Sequence, residues 1–281
     1  VADEPVPSEP VYLQSKELRE SSGLALSTRD SNLVWSHNDS GGKPRLFGFD
    51  RQSGAMRALL TLENATAVDW EDMCAYEVDG RHFLAVGDVG DNNSRRKFVT
   101  IYIVEEPPLA GRDLAKIKSN SVRRIDFGFA TGPVNCESLA YDSITRSFVL
   151  VTKEKERARI FSLKIPIEPN AKRATASLVQ VLPRPLITAC DLSSDGKRLL
   201  LVDYLAAGLL VRTAGENPEG DLWEKDRASA LFLPLRRQGE SGCFTDSDSE
   251  ILVGSEFEPS PLWTVPLEKT PVQKTPVRNT P

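Results

Sequence analysis

Asn135-Cys-Glu-Ser-Leu-Ala-Tyr-Asp142, Ser143-Ile-Thr-Arg146 and Ser147-Phe-Val-Leu-Val-Thr-Lys-Glu154 run consecutively in this chain of 281 residues. After Asn135 and Cys136 the first block has an acidic side chain and then small and apolar residues. The second is a turn. The third is rich in β-branched and aromatic residues and ends in polar ones. Two strands joined by a tight turn account for that order. The same grammar recurs at Glu20-Ser-Ser-Gly-Leu-Ala-Leu26, Glu71-Asp-Met-Cys-Ala75, Cys190-Asp-Leu-Ser193 and Glu240-Ser-Gly-Cys-Phe244. Aligned on the apolar residue two places on, the opening positions are Ser22, Glu71, Glu137, Cys190 and Glu240. They are spaced 49, 66, 53 and 50 residues apart.

Each unit continues alike. A turn such as Asp79-Gly80 or Ser194-Asp195-Gly196 leads to a Val/Leu/Phe strand, and that strand ends in polar residues. Third strands are read at 45–49, 100–104, 159–163, 208–212 and 262–265, and fourth strands at 58–62, 122–127, 177–181 and 230–234. Four strands per unit at a period near fifty predict an all-β chain folded as a five-bladed β-propeller. The fifth unit lacks a fourth strand, while segment 12–18 has no unit of its own. The N-terminal strand therefore closes the last blade and covers an edge that would invite aggregation. Six blades is the alternative, with the extra one inside the 66-residue unit; two long loops, 89–98 and 105–120, fill that unit otherwise. Residues 109–117 are expected to form a short helix. The chain divides into an N-terminal extension at 1–10, one propeller domain at 11–267 and a Pro/Thr-rich tail at 268–281.

Composition narrows the chemistry. Hydrophobic residues make up 40% of the chain, with 11 Phe, 4 Trp and 5 Tyr, which is enough for a real core and excludes wholesale disorder. The net charge of −5 argues against a nucleic-acid partner. The longest nearly apolar run, 199–211, is too short to span a bilayer and is broken by Asp203. Only two histidines are present, His37 and His82, so a zinc site built from several His is excluded. No CxxC pair occurs among the four cysteines. Cys74 and Cys243 align with Ala25 and Ala140 and read as buried packing. Cys136 and Cys190 come from adjacent units, where a disulfide is conceivable. The opening Val-Ala-Asp-Glu-Pro, without Met, reads as a mature secreted or periplasmic chain, or as a trimmed one.

In a propeller the first strand of each blade lines the channel and the second runs antiparallel to it. The start of one and the end of the other share a face near the axis. Ser22, Glu71, Glu137, Cys190 and Glu240 should therefore ring the channel mouth. Asn38, Asp39, Asp88, Asp91, Asn92, Lys153, Glu154, Asp203 and Glu256 should surround them. Clustered carboxylates are relieved by protonation or by a cation, and oxygen donors suit a hard ion, Ca²⁺ first and Mg²⁺ second. Ser22, Glu71, Glu137 and Glu240 are the candidate metal ligands. Asp88-Val-Gly-Asp-Asn92 followed by Arg95-Arg96 mixes metal-type oxygens with phosphate-type cations. Gly90 could let backbone N–H groups approach an anion. His37 is a candidate general base. Trp70 is read as packing between blades or as a stacking platform, and Lys153 as a partner of Glu137 or Glu154.

The order Ser22, Glu71, Glu137, (Cys190), Glu240 resembles the five-bladed calcium-dependent apyrases. That resemblance implies one Ser or Glu per blade around a channel calcium and hydrolysis of nucleoside di- and triphosphates. Cys190 departs from it, and water, Thr188 or Asp191 would have to fill that side. A second resemblance spans roughly residues 20–256. Glu20-Ser-Ser-Gly-Leu24, Trp35-Ser-His-Asn-Asp-Ser-Gly-Gly42, Asp69-Trp-Glu-Asp72, Gly87-Asp-Val-Gly-Asp-Asn92 and Asn135-Cys-Glu-Ser-Leu139 resemble a family of bacterial exported propellers of unassigned activity. That family is distantly similar to esterase-like phytases.

Two functions follow as expectations. In the first, a cation-dependent hydrolase cleaves a phosphoester or phosphoanhydride. Glu71, Glu137 or Glu240 serves as base, and Arg95, Arg96 or Lys153 clamps the phosphate. In the second, a non-catalytic propeller carries a structural cation and binds a small anion or a protein partner.

Overall fold

The computed structural model describes residues 7–109, 111, 114–165, 173–213, 222–225 and 231–267. Among these residues every regular element is a strand. In chain order they are β1 (Val11–Tyr12), β2 (Ser21–Leu26), β3 (Leu33–Asn38), β4 (Arg45–Asp50), β5 (Met56–Leu62), β6 (Trp70–Val78), β7 (Arg81–Asp88) and β8 (Val99–Glu105). Then come β9 (Ala115–Ser119), β10 (Arg123–Phe129), β11 (Cys136–Asp142), β12 (Ser147–Thr152), β13 (Ala158–Lys164), β14 (Ala174–Leu182) and β15 (Ile187–Leu192). The last are β16 (Arg198–Asp203), β17 (Ala206–Arg212), β18 (Trp223–Lys225), β19 (Leu231–Phe232), β20 (Ser241–Phe244), β21 (Glu250–Gly254) and β22 (Pro261–Pro266).

The turns read from sequence set this order. Asp79 and Gly80 both adopt positive φ, 51° and 74°, and fold β6 back on β7. Such a turn matches the twist of the strands it joins. The sheets run β2-β3-β4-β5-β9, β6-β7-β8-β10, β11-β12-β13-β14, β15-β16-β17 with β18 and β19 both on β17, and β20-β21-β22-β1. The second and third are fused along a parallel seam between β10 and β14 into one eight-stranded sheet. That sheet curls until its end strands, β6 and β11, are neighbours.

The first strands of the units, β2, β6, β11, β15 and β20, neighbour one another in that order, and β20 returns to β2. Five apolar clusters lie between consecutive units, including one between the last and the first built on Leu24, Phe47, Phe49, Cys243 and Leu252. Between the second and third units the Tyr76 and Tyr141 rings stack at 4.0 Å. Burial of these large side chains, at roughly 1.5–3 kcal/mol each, is the main force holding unit to unit.

The N-terminal strand does pair with the last unit: Val11 faces Leu262 and Tyr12 faces Pro261 on β22. It is shorter than the expected 12–18, and Leu13 and Leu18 turn into the core instead. Ser8, read as part of a free extension, also bonds to Thr264 at 2.8 and 2.9 Å. Residues 1–6 of the extension and the tail, 268–281, lie outside the described residues.

Two expectations fail. No helix forms among the described residues of 109–117. Instead β9 pairs in parallel with β5 of the preceding unit. Ala115, Ile117 and Ser119 are half-buried and alternate with exposed Lys116 and Lys118, a period of two that fits a strand. In the fourth unit, the strand expected at 230–234 is only Leu231–Phe232, and β18 takes the rest of that edge.

Candidate functional site

A bulge opens four of the five inner strands. The register jumps between Ser21 and Gly23, Trp70 and Met73, Cys136 and Ser138, and Ile187 and Ala189. Bulges re-aim the extra residue. The extra residues are Ser22, Glu71 with Asp72, Glu137 and Thr188, while Glu240 immediately precedes β20. Thr188, not Cys190, thus holds the ring position in the fourth unit; its hydroxyl donates to Gly239 O at 2.9 Å. Cys190 lies two residues deeper, on the same rung as Leu24, Met73, Leu139 and Gly242. Cys74 and Cys243 stand one residue deeper still, level with Ala25 and Ala140 as expected, opposite Ala85, Leu252, Trp35 and Val149 on the second strands. All four cysteines are buried free thiols, so Cys136 and Cys190 are not bridged.

The carboxylates do converge. Ligand oxygens of Asp39, Asp69 and Glu71 lie within 4.8 Å of one another, and so do those of Asp39, Glu240 and Glu256. Lys153 Nζ sits 2.8 Å from Glu137 Oε2 and 3.6 Å from Glu240 Oε1. Asn135 donates to Glu137 Oε1 at 2.9 Å. Tyr204 and Gln238 donate to Glu240 Oε1 at 3.1 and 3.0 Å. Glu71 is 4% exposed, and its carboxylate receives no hydrogen bond among the described residues. A Cβ on Gly90 would collide with Glu71 Oε1 and Asp69 Oδ2. The glycine therefore admits the chain's own carboxylates, where the sequence suggested a foreign anion.

The charges register this crowding. Burial, then the carboxylates of Glu137, Asp39, Asp69 and Glu240, push Glu71 well above the ordinary glutamate range. Burial, then Asp69 and Glu240, push Asp39 up to about 7. Burial also raises Asp69, against the opposing pull of Arg96. Glu256 is pushed up to about 9 by burial and by a hydrogen bond to Glu240, which requires a shared proton. Glu240 is buried, but the donors around it hold its carboxyl low. Burial pushes Lys153 down, yet Glu137 and Glu240 outweigh it and hold the ammonium charged.

Several residues predicted to bind are engaged elsewhere. Asp88 accepts from the N–H groups of Val68 and Asp69 and pairs with Arg96 at 2.7 Å. Arg96 also donates to Gly90 O, and its backbone N–H donates to Asp91 at 2.6 Å. Asn92 accepts from Asn135. The Asp88–Asn92 loop is thus held by its own cation, and Arg96 is not a free clamp. Arg95 is exposed. Glu154 accepts from Thr152 and Arg159, leaving Lys153 to Glu137. Asp203 accepts from Leu205 N and Ala206 N and pairs with Arg184. Asn38 holds the chain at Glu17, Arg19 and Glu20. Its neighbour Asp39 is the one that reaches the carboxylates.

Ser22 is buried at the β2 bulge. His37 is fully buried and edge-on to Trp70 at 5.5 Å, with Nδ1 against Asn38 O and no partner for Nε2. Burial lowers its pKa to about 4, so it stays neutral inside the core and is poorly sited as a solvent-fed base. Trp70 is core packing, and its N–H donates to Thr66 O.

Sequence reasoning passed over Asp69 and Asp72. Asp69 stands two residues before Glu71, and that same-face spacing was the available signal. Asp72 is fully buried beneath the bowl and accepts from Met73 N, Leu139 N and Cys190 N at 2.8, 3.0 and 3.2 Å. It thereby ties β6, β11 and β15 together. Asp191, considered for the cation, instead takes Leu192 N and Phe244 N, beside a 520 Å³ cavity lined by Ser27, Cys74 and Asp246. Burial pushes it up to about 7.

The bowl therefore offers clustered oxygen donors and no thiol, the donor chemistry of a hard divalent cation. No protein-family model matches this chain, and no curated protein matches it. No helix among the described residues is long and apolar enough to cross a membrane.

Proposed function

We propose that the chain is a five-bladed β-propeller that binds a divalent cation, calcium by preference, in a carboxylate bowl at one end of its channel. The five-blade reading is supported by the cyclic order of the inner strands and by the five inter-unit clusters. The cation reading is carried by one observation. Glu71 is nine-tenths buried, lacks a hydrogen-bond donor among the described residues, and faces Asp39 and Asp69. A buried carboxylate in that condition is costly unless protonated or matched by a cation. An exported location, secreted or periplasmic, suits such a site, since extracellular calcium modules work at a Kd of about 10⁻⁴–10⁻³ M.

Through the cation, the bowl would take an oxyanion substrate, a phosphate ester or anhydride. The cation would neutralise the phosphoryl oxygens and orient a water. The apyrase-like order of Ser22, Glu71, Glu137 and Glu240 supports this reading. A second reading, a scaffold with a structural cation, is favoured by the engagement of Arg96 with Asp88 and of Lys153 with Glu137. Neither is left over for a phosphate.

Thermal melts in EDTA and in excess Ca²⁺, run beside a screen of generic phosphoesters and nucleotides, test both. Calcium at 100 times its Kd contributes about 2.7 kcal/mol, which is a rise of roughly 5–10 °C for a chain of this size. An unchanged melting temperature refutes the cation site. A rise without turnover favours the scaffold. Turnover that Glu71→Gln abolishes in a folded protein favours the enzyme.

A further inference from the structure

Asp39 belongs to both carboxylate groups. We infer that the bowl binds two divalent cations side by side, bridged by the Asp39 carboxylate: one is held by Asp69 and Glu71, the other by Glu240 and Glu256. The inference rests on the reading of the bowl as a cation site and adds its stoichiometry and ligands.

Three observations carry it. The first is spacing. Each group of three keeps its oxygens within 4.8 Å, and the groups meet at one carboxylate. Paired catalytic metals stand about 3.5–4 Å apart, a span that one carboxylate bridges with its two oxygens. Asp39 Oδ1 is buried and has no hydrogen-bond partner.

The second is the distribution of donors. Each group contains one residue more than nine-tenths buried whose carboxyl lacks an N–H donor: Glu71, at 4% exposure, and Glu256, at 7%, whose one partner is the Glu240 carboxyl. The neighbouring carboxylates are served. Glu137 takes Asn135 and Lys153. Glu240 Oε1 takes Tyr204 and Gln238, which leaves Oε2 for the Asp39 side. The chain thus supplies internal donors on one flank of the bowl and withholds them on the other. Lys153, between Glu137 and Glu240, marks the boundary and excludes Glu137 from the ligand set.

The third is charge. With every carboxyl ionised, as ligands would be, Asp39, Asp69, Glu71, Glu137, Glu240 and Glu256 face the Lys153 ammonium, for a formal charge of five negative before the pull of Arg96 on Asp69 is counted. One divalent cation leaves three of those charges uncompensated. Two leave one.

The test is a count. The full chain is stripped with EDTA, desalted and titrated with Ca²⁺ alone, and bound ions are read by native mass spectrometry and by calorimetry. Two ions are expected in the unmodified chain, one in Glu71→Gln, one in Glu256→Gln and none in Asp39→Asn. A single ion in the unmodified chain overturns this inference and leaves the one-cation reading standing. No ion overturns both. Two ions retained in Glu256→Gln or in Asp39→Asn refute the ligand assignment. The count on the unmodified chain needs no variant to fold, and circular dichroism establishes folding for each variant.

Discussion

Asp72 offers the sharpest test of how the inner ring is held. Its carboxylate is fully buried and accepts three backbone N–H groups, two of them, Leu139 and Cys190, from other units. Asp72→Ala leaves all three donors without an acceptor in a site with no room for bulk water. Each such donor costs about 1–3 kcal/mol, or roughly 3–9 kcal/mol together. Part of that is offset, because the carboxylate is itself expensive to bury, as its strongly raised pKa records. A net loss of about 3–5 kcal/mol is expected, the range for removing one partner of a buried charged contact. Asp72→Asn keeps the shape and one carbonyl oxygen able to serve Leu139 and Cys190, so it should cost about 1–3 kcal/mol. Urea unfolding reads the difference as a lower midpoint at unchanged slope. In thermal melts the alanine variant should fall by roughly 10 °C. The reasoning is refuted if Asp72→Ala stays within about 0.5 kcal/mol of the parent, or if alanine and asparagine cost the same.

Two further outcomes follow from the bowl. Glu256, near 9, and Asp39, near 7, both titrate above their unfolded values in the cation-free protein. The folded state then holds protons that the unfolded chain has released, so stability in EDTA should fall as pH rises from 7 to 9. His37 acts in the opposite sense only below about 6.5, outside that window; melting temperatures in EDTA that stay level or rise would contradict the assignment. Lys153→Met removes the ammonium between Glu137 and Glu240, and with 16% of that side chain exposed the cost should be roughly 2–4 kcal/mol. Chemical denaturation of the cation-free variant checks this, and a loss under about 0.5 kcal/mol would mean the ammonium does not hold the bowl together.

The period and its turns were legible because each unit repeats the same local choices: a small apolar strand, a turn at Asp79-Gly80 or Ser194-Asp195-Gly196, and a β-branched strand. Convergence of Glu71, Glu137 and Glu240 followed from that period alone. The register of the fourth unit was not legible. The alignment was keyed on the apolar residue two places on and took Leu192 for it, because a thiol, Cys190, stands where other units carry Leu24 and Leu139; it therefore landed on Cys190 and missed Thr188. Asp72 was hidden for a different reason. It shares a bulge with Glu71, and only coordinates reveal that one of the pair faces the bowl while its neighbour turns inward to backbone donors. Glu154 and Asp203 were assigned to the bowl because they stand at or beside the ends of second strands. Arg159, at the head of the next strand, and Arg184, from the loop before β15, draw them away. The helix at 109–117 failed because the alternation of Ala115, Ile117 and Ser119 with two lysines is too short to stand out, and the pairing of β9 with β5 that uses it belongs to another unit.

The pairing of β1 with β22 joins residues 11–12 to 261–262. During synthesis β1 must wait for a partner made about 250 residues later. Until β22 has left the ribosome its outer edge does not exist to receive β1, and the circle of units stays open. Termination anywhere before residue 261 would therefore strand β1 and expose the flank of the first unit, which makes closure a check that β22 has been made.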